Sequence, residues 1–270
     1  MKGWLVYDRL GAKRNEWFID RLISLFRERG TLLELKTDDE ITENGELPAF
    51  AIVRAIRPAL NAALEERGVR VFNNAQTSRT ANDKWETYLA CKEWGIPVLP
   101  TERAADKTAF GYPCIVKTTD GHGGAEVFRA ENEGEYRAIS ERLRLGNRPA
   151  IAQAQNAVLG RDMRVYALGG EIVAGVLRSS DADFRSNFSL GGRVEPRAAD
   201  GEQKRIVEKL YEKLRFDFVG IDFLPDGRGG WILNEIEDAA GARMLYRCTD
   251  IDIAALFADY VCKQMRGREI

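Results

Sequence analysis

Apolar and polar positions change period along this chain, and the changes mark out its elements. Trp4 to Tyr7 is a short apolar run that reads as a strand. Phe18, Leu22, Leu25 and Phe26 then recur at the spacing of one helix face until Gly30 ends the helix. Leu32 to Leu35 reads as a second strand, Lys36 to Leu47 as a polar loop and Phe50 to Val53 as a third strand. Pro58 to Arg67 reads as a helix opened by proline and Val69 to Phe72 as a fourth strand. This βαβ alternation predicts a small parallel sheet covered by helices, hence an α/β chain. Asn73 to Ser78 is a polar break, and Asn82 to Trp94 is a helix with Trp85, Tyr88 and Leu89 on one side, stopped by Gly95. Short strands and one helix alternate to about Arg148. The strands AIAQAQ, MRVYALGG and EIVAGVLR follow, then a helix aligning Ile206, Leu210 and Leu214, an acidic hairpin, and a closing helix through Leu256 to Val261.

The hairpin, GIDFLPDGRGGWILNEIE, carries the most information. If its turn centres between Arg228 and Gly229, Leu224 faces Leu233 and Asp222 faces Glu235, with Glu237 on the same face. Like charges directly opposite each other destabilise a sheet, so acids placed this way require a compensating cation. Carboxylate oxygens suit Mg2+ or Mn2+, and magnesium usually takes one or two carboxylates plus substrate phosphates. A solvated acidic hairpin would show the same acids, but Val219, Ile221, Phe223, Ile232, Leu233 and Ile236 make both strands apolar enough for a sheet interior. The expectation is phosphate chemistry at a metal site.

Composition narrows the partners. A net charge of −2 and a pI near 5.8 give no basic field for nucleic acid or anionic membranes, and no apolar run is long enough to span a bilayer. Only the run from Trp4 to Tyr7 precedes Asp8 and Arg9, which argues against a secretory signal. Cys91, Cys114, Cys248 and Cys262 have neither CxxC spacing nor a histidine cluster. Reduced, mostly buried thiols fit a cytoplasmic protein whose partners are small molecules or peptides, with a homo-oligomer allowed.

Ile115-Val116-Lys117, followed by Thr118 to Val127 with Gly121, His122, Gly123 and Gly124, reads as a strand ending in lysine, a glycine loop and a return strand. Glycines let backbone amides approach a polyphosphate, and lysine supplies a point charge. Because no helix starts after the glycines, this is neither a Walker A nor a Rossmann fingerprint. Lys84 opens the next helix upstream and could reach the same phosphates. Arg161, Arg164, Arg178, Arg185 and Arg193 form a cluster whose forked donors suit phosphate oxygens. Arg9, Arg54 and Arg57 fall near strand ends of the N-terminal sheet, where ligands of open sheets collect.

The order of these parts resembles the ATP-grasp superfamily, and within it the RimK-like amide ligases. The matching stretches are Asn82-Asp83-Lys84, Ile115-Val116-Lys117 with its loop, Gly160 to Arg164, Asp183 to Asn187, Gly220-Ile221-Asp222 and Asn234 to Glu237. The resemblance implies an ATP-grasp fold after an N-terminal Rossmann-like pre-grasp domain, with units at 1–74, 75–153 (the glycine loop) and 154–270 (the metal site). It implies that Lys84, Lys117, Gly121, His122, Gly123, Gly124, Gln153, Ala154, Asp162, Arg185 and Asn187 bind ATP, and that Lys117 and Arg185 hold the transferring group. Asp222, Glu235 and Glu237 would hold Mg2+ or Mn2+. The last position is usually Asn in the family, and Glu237 adds a charge there. The implied reaction joins a carboxylate to an amine through an acyl phosphate, on amino-acid or peptide substrates. Alternatives are transfer to an alcohol or thiol, and an inactive nucleotide-binding scaffold.

Overall fold

The computed structural model describes residues 1–155, 158–181, 185 and 192–267. Its N-terminal part comprises β1 (Lys2–Tyr7), α1 (Arg9–Arg14), α2 (Glu16–Glu28), β2 (Leu32–Thr37), β3 (Phe50–Val53), α3 (Pro58–Glu66) and β4 (Arg70–Phe72). The strands pair in the order β2-β1-β3-β4, all parallel. Alternation along β1 explains both layers: Leu5 and Tyr7 pack under α2 with Phe18, Leu22 and Phe26, while Trp4 and Val6 face Leu64 and Val71. The predicted loop Lys36 to Leu47 contains a 3-10 turn at Asp38–Glu40, capped reciprocally by Thr37 and Glu40.

The predicted break at Asn73 to Ser78 is instead mostly helix. Helix α4 (Ala75–Ala81) is capped by Asn74, whose side chain accepts from Thr77 N at 2.8 Å. It has almost no apolar stripe because its buried positions include Thr77 and Ser78, and the Thr77 hydroxyl donates to the Leu214 carbonyl. Helix α5 (Lys84–Glu93) follows, but it buries Thr87 and Cys91 and leaves Leu89 exposed, so the face predicted from Trp85, Tyr88 and Leu89 is not its core face.

The middle sheet, in the order β5-β8-β6-β7, is built from β5 (Thr101–Arg103), β6 (Cys114–Thr118), β7 (Val127–Ala130) and β8 (Ala150–Ala154). It is covered by α6 (Glu133–Leu145) through Tyr136 and Leu143. The third sheet, β11-β10-β9-β12-β13, uses β9 (Arg161–Leu168), β10 (Glu171–Ser179), β11 (Arg193–Pro196), β12 (Phe218–Pro225) and β13 (Trp231–Glu237). One face packs on α7 (Gly201–Leu214) through Met163, Val165, Val219 and Ile221; residues of the other face, Tyr166, Val176 and Phe218, pack with α8 (Arg243–Cys248) and α9 (Ile253–Arg266). Helix α8 lies between the acidic hairpin and the closing helix, where periodicity gave no element. No helix among the described residues is long and apolar enough to cross a membrane.

The hairpin register differs from the arithmetic in one respect. Phe223 pairs with Leu233 and Leu224 with Ile232, because the turn closes from Asp226 N to Gly230 O at 3.0 Å and centres on Arg228. A bulge between Asp222 and Phe223, with Asn234 as the extra residue, then restores Asp222 opposite Glu235.

Candidate active site

The same parity that sends Val219, Ile221 and Phe223 into the α7 core sends Asp222 to the opposite face. There the ladder sets Asp222 beside Arg164 of β9, and Arg164 beside Val176 of β10; Arg178 pairs with Asp162. Charged side chains from neighbouring strands therefore meet in a buried row. Arg164 grips Asp222 with two bonds, Nε to Oδ1 and Nη2 to Oδ2, both 2.7 Å, and its Nη2 also donates to Glu237 Oε1 at 2.6 Å. Arg178 holds both oxygens of Asp162 and donates to Asp222 Oδ2 at 2.7 Å. Burial alone would raise the Asp222 carboxyl, but Arg164 and Arg178 overcome it and keep Asp222 ionised far below the ordinary range. Glu237 goes the other way: burial outweighs Arg164, and the charges of Asp222 and Glu235 push it further up.

Across from this row, the first turn of α5 meets the glycine loop. Asp83 caps α5 by accepting from Trp85 N and Glu86 N, and Lys84 N donates to Thr119 O at 2.9 Å. That bond fixes Lys84 between two sheets: its Nζ donates to the Gly121 carbonyl and lies 3.6 Å from Glu235 Oε2. Lys117, at the end of β6, is buried and donates to Asn234 Oδ1 at 3.2 Å. The bulge accounts for this contact, since it lets consecutive residues Asn234 and Glu235 both line the cleft. Desolvation pushes the Lys117 ammonium down to about 8, with Glu235 opposing and Lys84 adding to the shift.

The cleft holds about 820 Å³ of empty space, part of it open to solvent. It is lined by sequence-predicted residues from every segment: Lys84, Lys117, Gly121, Gly123, Gly124, Gln153, Ala154, Asp162, Arg185, Asp222 and Glu235. Arg185 Nη1 donates to Gly124 O at 2.7 Å, which ties it to the loop. His122 is exposed and does not line the cleft, nor does Glu237, although Glu237 remains within the acidic cluster. The Gln153 amide is committed to Thr101 at 3.0 Å. Asn187 lies outside the described residues. Arg9 and Arg57, expected near a ligand, instead pair with Asp39 and Asp38, while Arg54 donates to Ala240 O at 2.7 Å just beyond β13.

Two features escaped the sequence. Arg164 and Arg178 stood out only as cluster members suited to phosphate, yet they are the counter-ions of the acids. Arg148 clamps the base of the glycine loop through Asp120 (2.8 Å) and Glu126 (2.7 Å), and no local pattern marks it.

Ligand oxygens of Asp222, Glu235 and Glu237 all lie within 4.8 Å of one another, and this all-oxygen donor set fits a hard divalent cation. Charge supports the fit. Asp162, Asp222, Glu235 and Glu237 are matched by Lys84, Lys117, Arg164 and Arg178, and Arg161 and Arg185 line the same cleft, so its described residues carry a surplus of two cations. A nucleoside triphosphate carries more negative charge than that surplus, and a divalent cation entering with it would make up the difference.

Residues 99–261, well over half of the chain, match the family profile described as RimK-like ATP-grasp domain. The chain is 28% identical over 267 residues to the uncharacterized protein MG011 of Mycoplasma genitalium, covering 94% of this chain and 90% of that one. It is 26% identical over 241 residues to human N-acetylaspartylglutamate synthase A, covering 82% of this chain but only 62% of the synthase. In fold it resembles the crystal structure of a RimK domain protein ATP-grasp from Sphaerobacter thermophilus, with a TM-score of 0.73 at 20% identity over 97% of this chain and 100% of that one.

Proposed function

Because this chain belongs to the RimK-like ATP-grasp family, we propose that it is an ADP-forming ligase that joins a carboxylate to an amine. The observation that carries the reading is the facing of Asp222 and Glu235 by Lys84 and Lys117 across one cleft roofed by the glycine loop. In the first step a carboxylate oxygen of one substrate attacks the terminal phosphorus of ATP, the bond to the ADP oxygen breaks, and an acyl phosphate forms. In the second, the amine attacks the acyl carbon, phosphate leaves with the C–O bond electrons, and the nitrogen gives up a proton. Lys84, Lys117 and Arg185 hold the phosphates in line, and backbone amides of Gly121, Gly123 and Gly124 close over them. Asp222, Glu235 and Glu237 are the residues that would hold divalent cations, which neutralise charge on the transferring group. Asp162, which lines the cleft, positions the Arg178 guanidinium by accepting from it with both oxygens.

The substrates are acidic amino acids or peptides. Arg161 lines both the nucleotide cleft and a neighbouring cavity that also contains Arg193, Arg247 and Glu195, and Asp181 pairs with Arg193, so guanidinium groups border the way in for a carboxylate. The relative named as a synthase of N-acetylaspartylglutamate is in keeping with such a substrate.

The test is an ADP and phosphate release screen with ATP, Mg2+ or Mn2+, and paired panels of acidic carboxylates and amines. ADP formation that requires both partners, with a new amide seen by mass spectrometry, supports the reading. ATP turnover indifferent to both partners overturns it.

A further inference from the structure

Arg164 occupies an unusual place for a buried strut. Its Nη2 is shared between Asp222 Oδ2 at 2.7 Å and Glu237 Oε1 at 2.6 Å, so a guanidinium already stands between two of the three acids whose oxygens converge. Asp222 accepts at the same Oδ2 from Arg178, but Arg178 is shared with Asp162, so Arg164 serves Asp222 as well as Glu237. Glu237 is the acid that Arg164 alone is seen to balance, and an amide at that position would attract a guanidinium far less. Glu235 instead faces Lys84 Nζ at 3.6 Å, beyond hydrogen-bond length.

We infer that Arg164 is an internal counter-ion that competes with the divalent cation for Glu237 and Asp222, so that metal is held weakly until nucleotide phosphates complete its coordination. This rests on the ATP-grasp reading of the acidic face and adds a binding order to it. A cation approaching the nucleotide-free site meets acids that are already neutralised. A cation arriving with phosphate oxygens gains ligands that Arg164 does not contest, so metal and nucleotide each strengthen the other's binding.

The test is titration of Mn2+ into the nucleotide-free protein, followed by calorimetry and by the electron paramagnetic resonance signal of unbound Mn2+. Arg164→Gln should bind Mn2+ at least about tenfold more tightly than wild type, because two carboxylates lose a competing charge. The gain should shrink to roughly twofold or threefold in a Glu237→Gln background, where the contested acid is gone. Unchanged or weaker Mn2+ binding by a folded Arg164→Gln protein overturns the inference, since a mere strut gives that result. Should Arg164→Gln fail to fold, Arg164→Lys retains a charge but not the fork that spans both acids; several-fold tighter binding supports the inference and none overturns it. The two readings fail differently. Wild type that takes up no Mn2+ even with a non-hydrolysable ATP analogue undoes the assignment of the site, whereas uptake with the analogue but no response to Arg164 variants undoes only the counter-ion.

Discussion

Two buried aspartates five residues apart on one stretch of chain, Asp217 and Asp222, have opposite fates. Asp217 is fully buried where β4 meets β12, accepting from Tyr260 Oη at 2.9 Å and from Arg70 while its Oδ2 has no hydrogen-bond partner. Burial pushes its carboxyl above the ordinary range, and Arg70 only partly reverses this. Asp222 has two arginines, sits within reach of two further acids and lines the cleft. A buried acid is thus no sign of function by itself. What separates the two is convergence on a cavity: Asp217 lines none of the cavities described here and joins parts of the fold, while Asp222 borders a space that a ligand can enter.

The largest expected effect falls on Asp222, where the two roles combine. Asp222→Ala should lower turnover by roughly a thousandfold or more and also destabilise the protein by about 3–5 kcal/mol, because two buried guanidinium groups lose a carboxylate. Glu235→Ala, which frees no buried arginine fork in the present geometry, should give a comparable loss of turnover with the melting temperature nearly kept. Parallel melting curves and ADP assays check both, and a Glu235→Ala enzyme with ordinary turnover would remove the basis of the comparison. Asp217→Ala should do the reverse, costing roughly 3 kcal/mol in denaturant unfolding, near the low end because Arg70 is 19% exposed, with turnover of the folded protein within a fewfold of wild type.

A smaller effect follows from Lys117. Its ammonium, pushed down to about 8 by burial, is charged below that pH and neutral above it, so its attraction for phosphate is lost as pH rises through 8. The KM for ATP should rise by up to about tenfold per pH unit above 8, and Lys117→Arg, which keeps its charge, should flatten the profile. Smallest is Arg247→Gln, expected to raise the KM for an acidic substrate severalfold while leaving the KM for ATP unchanged, which steady-state kinetics with each substrate varied would reveal.

Much of this contrast was legible in the amino-acid order, for identifiable reasons. The acid pair was recoverable because a hairpin is local, with turn residues and period-two alternation fixing its register. Even so, two deviations cancelled: the turn centres half a residue earlier than assumed, and the bulge at Asn234 restores the facing. Lys117 stood out beside its glycine loop and Lys84 as a neighbour able to reach the same phosphates, but their meeting was not readable, since what brings them together is a backbone bond from Lys84 to Thr119 across the fold. The partnership of Arg164 and Arg178 with the acids was invisible, because it depends on the pairing of β9 with β10 and β12, which no local spacing encodes. Helix α4 was missed for a different reason. It buries hydroxyls that bond to backbone elsewhere, so its hydrophobic signal is nearly absent.

Asn73 deserves a last consequence. Its carboxamide donates to the carbonyls of Phe218 (2.7 Å) and Asp238 (3.1 Å) and accepts from the amides of Asp217 and Phe218, so one side chain rivets the entry of β12 to the exit of β13. Severing the chain after residue 74 would leave the larger fragment with two amides and two carbonyls facing nothing at the base of its acidic hairpin. The N-terminal portion therefore serves as an assembly jig for that hairpin, and separately expressed halves should regain a working cleft only when they are mixed.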